Sequence, residues 1–194
     1  MKLEIIKYST VTSTNDVAMN LINNKKKQTG CVYSKFQTKG RGTKGKEWVS
    51  KLGNLFVSIF FPLKENYPPF NEFSIINPVI VSDLIRMYCK NKNISFKWPN
   101  DVFVNKKKIC GILQEVITSD KNRFLIIGIG INVLVSPDIK KPYQATSIFL
   151  ETGSKPSVEE LANFLVLSYE KFFDNLNSYN FTKYKSKADL MAAG

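Results

Sequence analysis

Four apolar runs in the middle of the chain, Ile94–Trp98, Asp101–Val104, Ile109–Thr118 and Phe124–Val135, are separated only by short polar stretches. This spacing constrains the fold more than any other feature. Each run is rich in β-branched and aromatic residues, which suit a pleated, half-buried backbone. The connections at Asn105–Lys107 and Ser119–Asn122 are far shorter than the roughly one dozen residues that a parallel crossover needs. Successive runs must therefore pair antiparallel, as a meander.

The flanking sequence adds helices and two more strands. Gly30–Gln37 and Asn54–Pro62 read as strands on either side of a glycine-rich segment. Ser13-Thr14-Asn15-Asp16 offers N-cap residues and an early acid ahead of Val17, Ala18, Leu21 and Ile22, which share one helical face. Phe73–Lys90 carries an apolar stripe at Ile76, Val79, Ile80, Leu84 and Met87, predicting a helix started near Pro78. Ser157 with Glu160 forms a capping box ahead of Val158, Leu161, Leu165 and Phe172. The expected architecture is α+β, a largely antiparallel mixed sheet with helices packed on one face. No repeat or linker divides the 194 residues, so one domain is expected.

Composition narrows the chemistry. The chain has no histidine, which removes Ser-His-Asp and Cys-His catalysis and most zinc sites. Cys31, Cys89 and Cys110 are odd in number and lie within apolar runs, so they read as buried, reduced thiols. No apolar stretch reaches the roughly 20 residues of a membrane span, and the opening Met1-Lys2-Leu3-Glu4-Ile5 alternates too early for a secretory signal. A cytoplasmic protein with no membrane partner is expected. The net charge of +12 favours anionic partners, yet only Arg41, Arg86 and Arg123 among the 28 basic residues are arginines. Base reading in DNA leans on bidentate arginine, so a lysine-rich soluble surface is the plainer reading.

The densest chemical signal is Gln37-Thr38-Lys39-Gly40-Arg41-Gly42-Thr43-Lys44-Gly45-Lys46-Glu47-Trp48. Glycines let backbone N–H groups approach an anion, and the interleaved cations neutralise it. The segment lacks the Gly-Lys-Ser/Thr ending of a Walker loop, and alone it could be a solvated basic turn. Lys97-Trp98-Pro99-Asn100-Asp101 sits at a strand corner, where a cation and a carboxylate can enter one cleft; a polar turn with a core tryptophan is the alternative. Lys108-Ile109-Cys110-Gly111 and Gly128-Ile129-Gly130-Ile131-Asn132 place glycines inside apolar strands, marking either a bulge or the close approach of a ligand or another backbone. Asn132, polar in an apolar strand, requires a buried partner or a ligand.

Ser13-Thr14-Asn15, Gln37, Gly40–Trp48, Lys97–Asp101, Lys108-x-x-Gly111 and Gly128-x-Gly130-Ile131-Asn132 occur in the order and approximate spacing of biotin protein ligases. The chain resembles that family's catalytic domain from about Ser9 to Tyr184. The resemblance implies the biotin-lipoate ligase fold, related to class II aminoacyl-tRNA synthetases. It also implies two substrates, ATP and biotin, with Mg²⁺, joined as biotinyl-5′-AMP before transfer to a lysine of a biotin carboxyl carrier protein such as that of acetyl-CoA carboxylase. By correspondence, Ser13, Thr14, Asn15 and Gln37 bind biotin, and Gly40, Arg41, Gly42 and Thr43 close over it. Gly111 lets the strand approach biotin, and Lys108 sits by its carboxylate and the α-phosphate. Trp48, Lys46, Lys97 and Asn132 meet the nucleotide, with Asn132 nearest a metal. Arg41, Lys108 and Asp101 are the catalytic set, Asp101 lying by the incoming amine.

Many members carry an arginine where this chain has Thr43, which bears on retention of the adenylate. The whole chain reads as one catalytic domain, residues 1–194, without an N-terminal winged helix and with the usual small C-terminal β domain missing or truncated. An exposed sheet edge admits a homodimer by the same analogy. The alternatives are a lipoate or octanoate ligase or transferase of the same fold, a basic nucleic-acid-binding module, and a noncatalytic biotin-binding protein.

Overall fold

The computed structural model describes residues 1–139 and 143–192. Its centre is a seven-stranded sheet in the order β1-β2-β3-β7-β6-β5-β4. The strands are β1 (Ile5–Val11), β2 (Gly30–Gln37), β3 (Leu55–Pro62), β4 (Ile94–Lys97), β5 (Asp101–Val104), β6 (Lys107–Ser119) and β7 (Asn122–Ile131). The meander expected from the short connections is present as β4-β5-β6-β7, antiparallel throughout. Asn105 and Lys106, and again Asp120 and Lys121, all have positive φ. Two consecutive left-handed residues make the tight hairpin turns whose twist matches that of the strands they join. Only β1, which pairs parallel with β2, departs from the antiparallel pattern. The helix α1 (Thr14–Asn23) makes that crossover.

The other helices are α2 (Phe73–Tyr88), α3 (Ile148–Thr152), α4 (Val158–Asp174) and α5 (Phe181–Ala192). Helix α2 begins at Phe73, so Pro78 lies inside it rather than at its start. The capping box at α4 forms in part, since Ser157 Oγ accepts from the Glu160 N–H.

Packing on a single face holds for α2, α4 and α5 but not for α1. Leu55, Val57, Ile59 and Phe61 of β3 and Leu125, Ile127, Ile129 and Ile131 of β7 join the larger core, with α2, α4 and α5 residues such as Ile76, Tyr169 and Ala188. Ala18 and Ile22 of α1 pack instead with Val32, Phe60 and Ile126 on the opposite face. The strand period of two explains the division, because alternate residues face opposite sides. On the α1 side the central strands carry Ser58, Gly111, Gly128 and Gly130. Small residues leave depth there that a helix does not fill.

The run Phe124–Val135 leaves the sheet at Ile131. Beyond it, the buried Asn54 replaces a strand partner: its Oδ1 accepts from the N–H groups of Val133, Leu134 and Val135 at 2.9, 3.1 and 3.1 Å. The three cysteines are buried and free. Burial raises the Cys31 thiol to about 12 and the Cys89 thiol to about 11. No described helix is long and apolar enough to cross a membrane.

Candidate active site

The small residues on the α1 side floor a cleft of about 770 Å³. Every site residue expected from the sequence lines it except Gly40. Gly40 lies behind the wall, where its carbonyl accepts from the Trp48 N–H at 2.9 Å and a Cβ would meet Ser50 Oγ at 2.9 Å.

One end of the cleft is a chain of neutral hydrogen-bonding groups. Ser13 caps α1 with extended backbone but makes no side-chain cap bond. The Thr14 N–H and hydroxyl both donate to Gln37 Oε1, at 2.8 and 3.1 Å, and Gln37 Nε2 donates to Ser50 Oγ at 3.1 Å. Ser58 Oγ bonds Thr14 Oγ1 at 2.8 Å and also meets Asn15 Oδ1. Asn15 Nδ2 donates to Glu115 Oε2 at 2.7 Å. Thr14 and Asn15 are almost wholly buried and Gln37 nearly so. Buried polar groups held this firmly present fixed donors and acceptors to whatever lies against them.

The middle of the cleft is occupied by the Trp48 indole, lying on the cross-strand pair Gly111–Gly130. A Cβ on Gly111 would come within 2.6 Å of Trp48 Cζ3, and one on Gly130 within 2.5 Å of Trp48 Cε2. The close approach that the strand glycines signalled is therefore made here by an aromatic ring. Trp48 Nε1 is buried without a hydrogen-bond partner.

The far end is charged. Lys108 Nζ lies 2.7 Å from Asp101 Oδ1, with side chains only 15% and 11% exposed. Tyr143 closes the group, its hydroxyl accepting from Lys108 Nζ at 3.3 Å and donating to Asp101 Oδ2 at 3.2 Å. The Lys108 ammonium also stands 5.4 Å from the Trp48 ring centroid and 5.3 Å from that of Tyr143. A β-bulge makes the pair possible. Asp101 faces Gly111, yet Phe103 faces Lys108, so the register slips by one residue between them. A slip of one reverses the side on which a residue points. Without it, Lys108 and Gly111, three apart, would face opposite sides of the sheet.

At Trp98 the core-tryptophan alternative does not hold, and Asn132 has the buried partner expected of it. Trp98 is 68% exposed at the rim and is not a core residue. Asn132 is buried, donates from Nδ2 to the Thr146 carbonyl at 3.0 Å and faces Asn54 Nδ2 with its Oδ1 at 3.5 Å. It is a strut of the cleft wall. Among the described residues no three His, Cys, Asp or Glu side chains gather as metal ligands, and Asp101 is already ion-paired. The donor set therefore does not fit a metal ion held by protein side chains.

Arg41, which lines the cleft, is held by two carboxylates. Its Nη1 and Nη2 donate to Glu115 Oε1 and Oε2 at 2.8 and 2.7 Å, and Nη2 lies 2.8 Å from Asp16 Oδ1. The Glu115 hydrogen bond raises the guanidinium pKa above its ordinary value, against the opposing effect of burial. Thr43, two residues on, accepts from Asn100 Nδ2 at 3.4 Å across the cleft. Glu115, Asp16, Ser58, Ser50 and Tyr143 were not read from sequence as site residues. Glu115 had one usable signal, its even spacing from Gly111 on the same strand, which places both on the cleft face.

Residues 7–132 match the family model described as "Biotin/lipoate A/B protein ligase family". This chain belongs to the biotin/lipoate A/B protein ligase family. Over its whole length it is 30% identical to the bifunctional ligase/repressor BirA of Bacillus spizizenii, of which it covers 61%. The chain thus spans less than two thirds of that curated relative. Among solved structures, the biotin protein ligase of Aquifex aeolicus in complex with biotin and ATP superposes with a TM-score of 0.78 at 27% identity, covering 95% of this chain and 76% of that one. The Leishmania major biotin protein ligase in complex with biotinyl-5-AMP gives 0.77 at 28%, covering 97% and 81%. These family members share the sheet and the helices around it, so the cleft described above lies on a family scaffold.

Proposed function

We propose that this chain joins biotin to ATP as biotinyl-5′-AMP, releasing pyrophosphate, and passes the biotinyl group to a lysine of a biotin carboxyl carrier protein. The observation that carries the reading is one cleft with two chemically different ends meeting at Trp48. The neutral chain of Thr14, Asn15, Ser58 and Gln37 suits a ureido group, which has both N–H donors and a carbonyl acceptor. A ligand lacking those groups would forgo the hydrogen bonds that the site offers, which is how such a site discriminates against it. The charged end suits a triphosphate, and Lys46 and Lys97 line the same cleft as Lys108.

In the first step a biotin carboxylate oxygen attacks the α-phosphorus and pyrophosphate leaves. Two anions must be brought together, so the main requirement is positive charge already in place. Lys108 supplies it, held between two aromatic faces. Magnesium accompanying the nucleotide would be bound by the phosphate oxygens themselves. In the second step the acceptor amine attacks the acyl carbon and AMP leaves as the C–O bond to phosphate breaks. Asp101, at the same end of the cleft, is the carboxylate placed to orient that amine and receive its proton. Closure of the Lys39–Trp48 segment over the adenylate would limit hydrolysis.

The test is biotin-dependent ATP–pyrophosphate exchange, followed by avidin detection of label on a carrier lysine. Exchange driven by lipoate or octanoate in place of biotin would move the reading to another acyl acid of the same family. Absence of exchange together with tight biotin binding would make the chain a noncatalytic binder.

A further inference from the structure

We infer that Glu115 is a positioning residue: it clamps the Arg41 side chain and thereby fixes the glycine-rich segment against the neutral end of the cleft, leaving charge neutralisation to the lysines. The inference deepens the proposed function and rests on it for its substrates. Three observations support it. The guanidinium faces two carboxylates at once, Glu115 in a two-pronged pair and Asp16 at 2.8 Å. One arginine between two carboxylates is a cluster of net negative charge, which repels phosphates rather than attracting them. Of the five guanidinium N–H donors three face these carboxylates and the Nε–H is buried, so most of the group's hydrogen-bonding capacity is spent within the clamp. Finally, Glu115 Oε2 also accepts from Asn15 Nδ2 at 2.7 Å, joining the clamp to the chain of groups that runs through Ser58 and Thr14 to Gln37.

That chain returns to the same segment. Gln37 Nε2 bonds Ser50 Oγ, which donates to the Trp48 carbonyl at 3.4 Å, and the Trp48 N–H bonds the Gly40 carbonyl. The segment between Gly40 and Ser50 is therefore tied at both ends to one hydrogen-bonded ring around the neutral end of the cleft. Arg41 and Glu115 lie 74 positions apart, and their pairing holds the entry to the loop on β6. Two-pronged Arg–carboxylate pairs combine orientation with strength, and Lys at such a position would not reproduce the geometry.

The experiment compares Glu115→Gln, Arg41→Gln, Arg41→Lys and the double variant Arg41→Gln/Glu115→Gln in pyrophosphate exchange at varied biotin and varied ATP. Clamping predicts that both Gln single variants raise the biotin KM by a similar factor, about tenfold for a lost charge-assisted pair. Their ATP KM should change by less than about twofold, and the double variant should be no worse than either single one, since residues acting as one unit are not additive. Arg41→Lys should behave like Arg41→Gln. A strong rise in the ATP KM for Arg41→Gln with Glu115→Gln near wild type would overturn the inference and return Arg41 to the phosphates. Trypsin cleavage at Lys39 and Lys44 in the native protein is a second readout that needs no activity. Faster cleavage in Glu115→Gln supports the clamp even if exchange fails for every form, in which case the proposed function falls alone; unchanged cleavage refutes the clamp.

Discussion

Replacing Lys108 by Met leaves the Asp101 carboxylate at the charged end of the cleft with Tyr143 as its remaining hydrogen-bond partner. At 2.7 Å the pair's Coulomb attraction is about 6 kcal/mol at an effective dielectric of roughly 20. Desolvating two side chains that are only 15% and 11% exposed costs several kcal/mol per ion, so the intact pair contributes little net stability. Breaking it is a different matter, because the desolvation of Asp101 remains while the attraction is lost; the expected destabilisation is about 2–4 kcal/mol. Removing both charges in Lys108→Met/Asp101→Asn should recover most of that loss. Urea unfolding of the four forms measures it, read as midpoint shifts at constant slope. Exchange activity should fall about 10²–10³-fold in Lys108→Met, and the double variant should not restore it, since the charge near the α-phosphate is still absent. Wild-type stability for Lys108→Met, or a double variant no more stable than it, would refute the account of the pair.

Four further outcomes follow from the same structure. Gly130→Val puts side-chain atoms where Trp48 packs, and its Cβ alone would come within 2.5 Å of Trp48 Cε2, so the indole should leave the cleft at a cost of about 1–3 kcal/mol. Red-shifted tryptophan emission in a Trp98→Phe background reports this, and unchanged emission would contradict the packing. Saturating biotin or biotinyl-AMP should protect the Lys39–Trp48 segment from trypsin; equal cleavage with and without ligand would count against closure. Thr43→Arg adds a cation facing the cleft and should slow escape of biotinyl-AMP by roughly tenfold, the scale of one charge-assisted hydrogen bond; equal release in a filter assay would exclude that role for position 43. The native thiols should not react with a chromogenic disulfide near neutral pH. Their raised folded-state pKa values mean the unfolded chain loses these protons first, so stability should fall as pH rises from the ordinary thiol value of 9.0 towards about 11 to 12, with no change below that window. Calorimetry against pH checks the sign.

Much of this protein could be read along the chain because its determinants are local. Alternating apolar residues and two-residue polar turns are enough to specify the β4–β7 meander, and the capping residues at Ser13 and Ser157 mark the helix starts. The cleft residues carried by motifs, from Ser13–Asn15 through Lys108 to Asn132, were legible for the same reason, since each motif is a run of neighbours. What the chain order could not show is which side chains meet across it. The side of the sheet taken by α1 depends on where glycine and serine from three separate strands fall into one row. The union of Lys108 with Asp101 depends on a one-residue slip between β5 and β6. Glu115 meets Arg41 across 74 positions. Tyr143 reaches the charged pair from a loop with no pattern of its own. Sequence periodicity determined the strands and the turns, and the motifs with their family resemblance supplied the cast of cleft residues; register and tertiary packing decided that Arg41 meets Glu115 and Asp16, because a guanidinium binds the carboxylates that the fold brings to it.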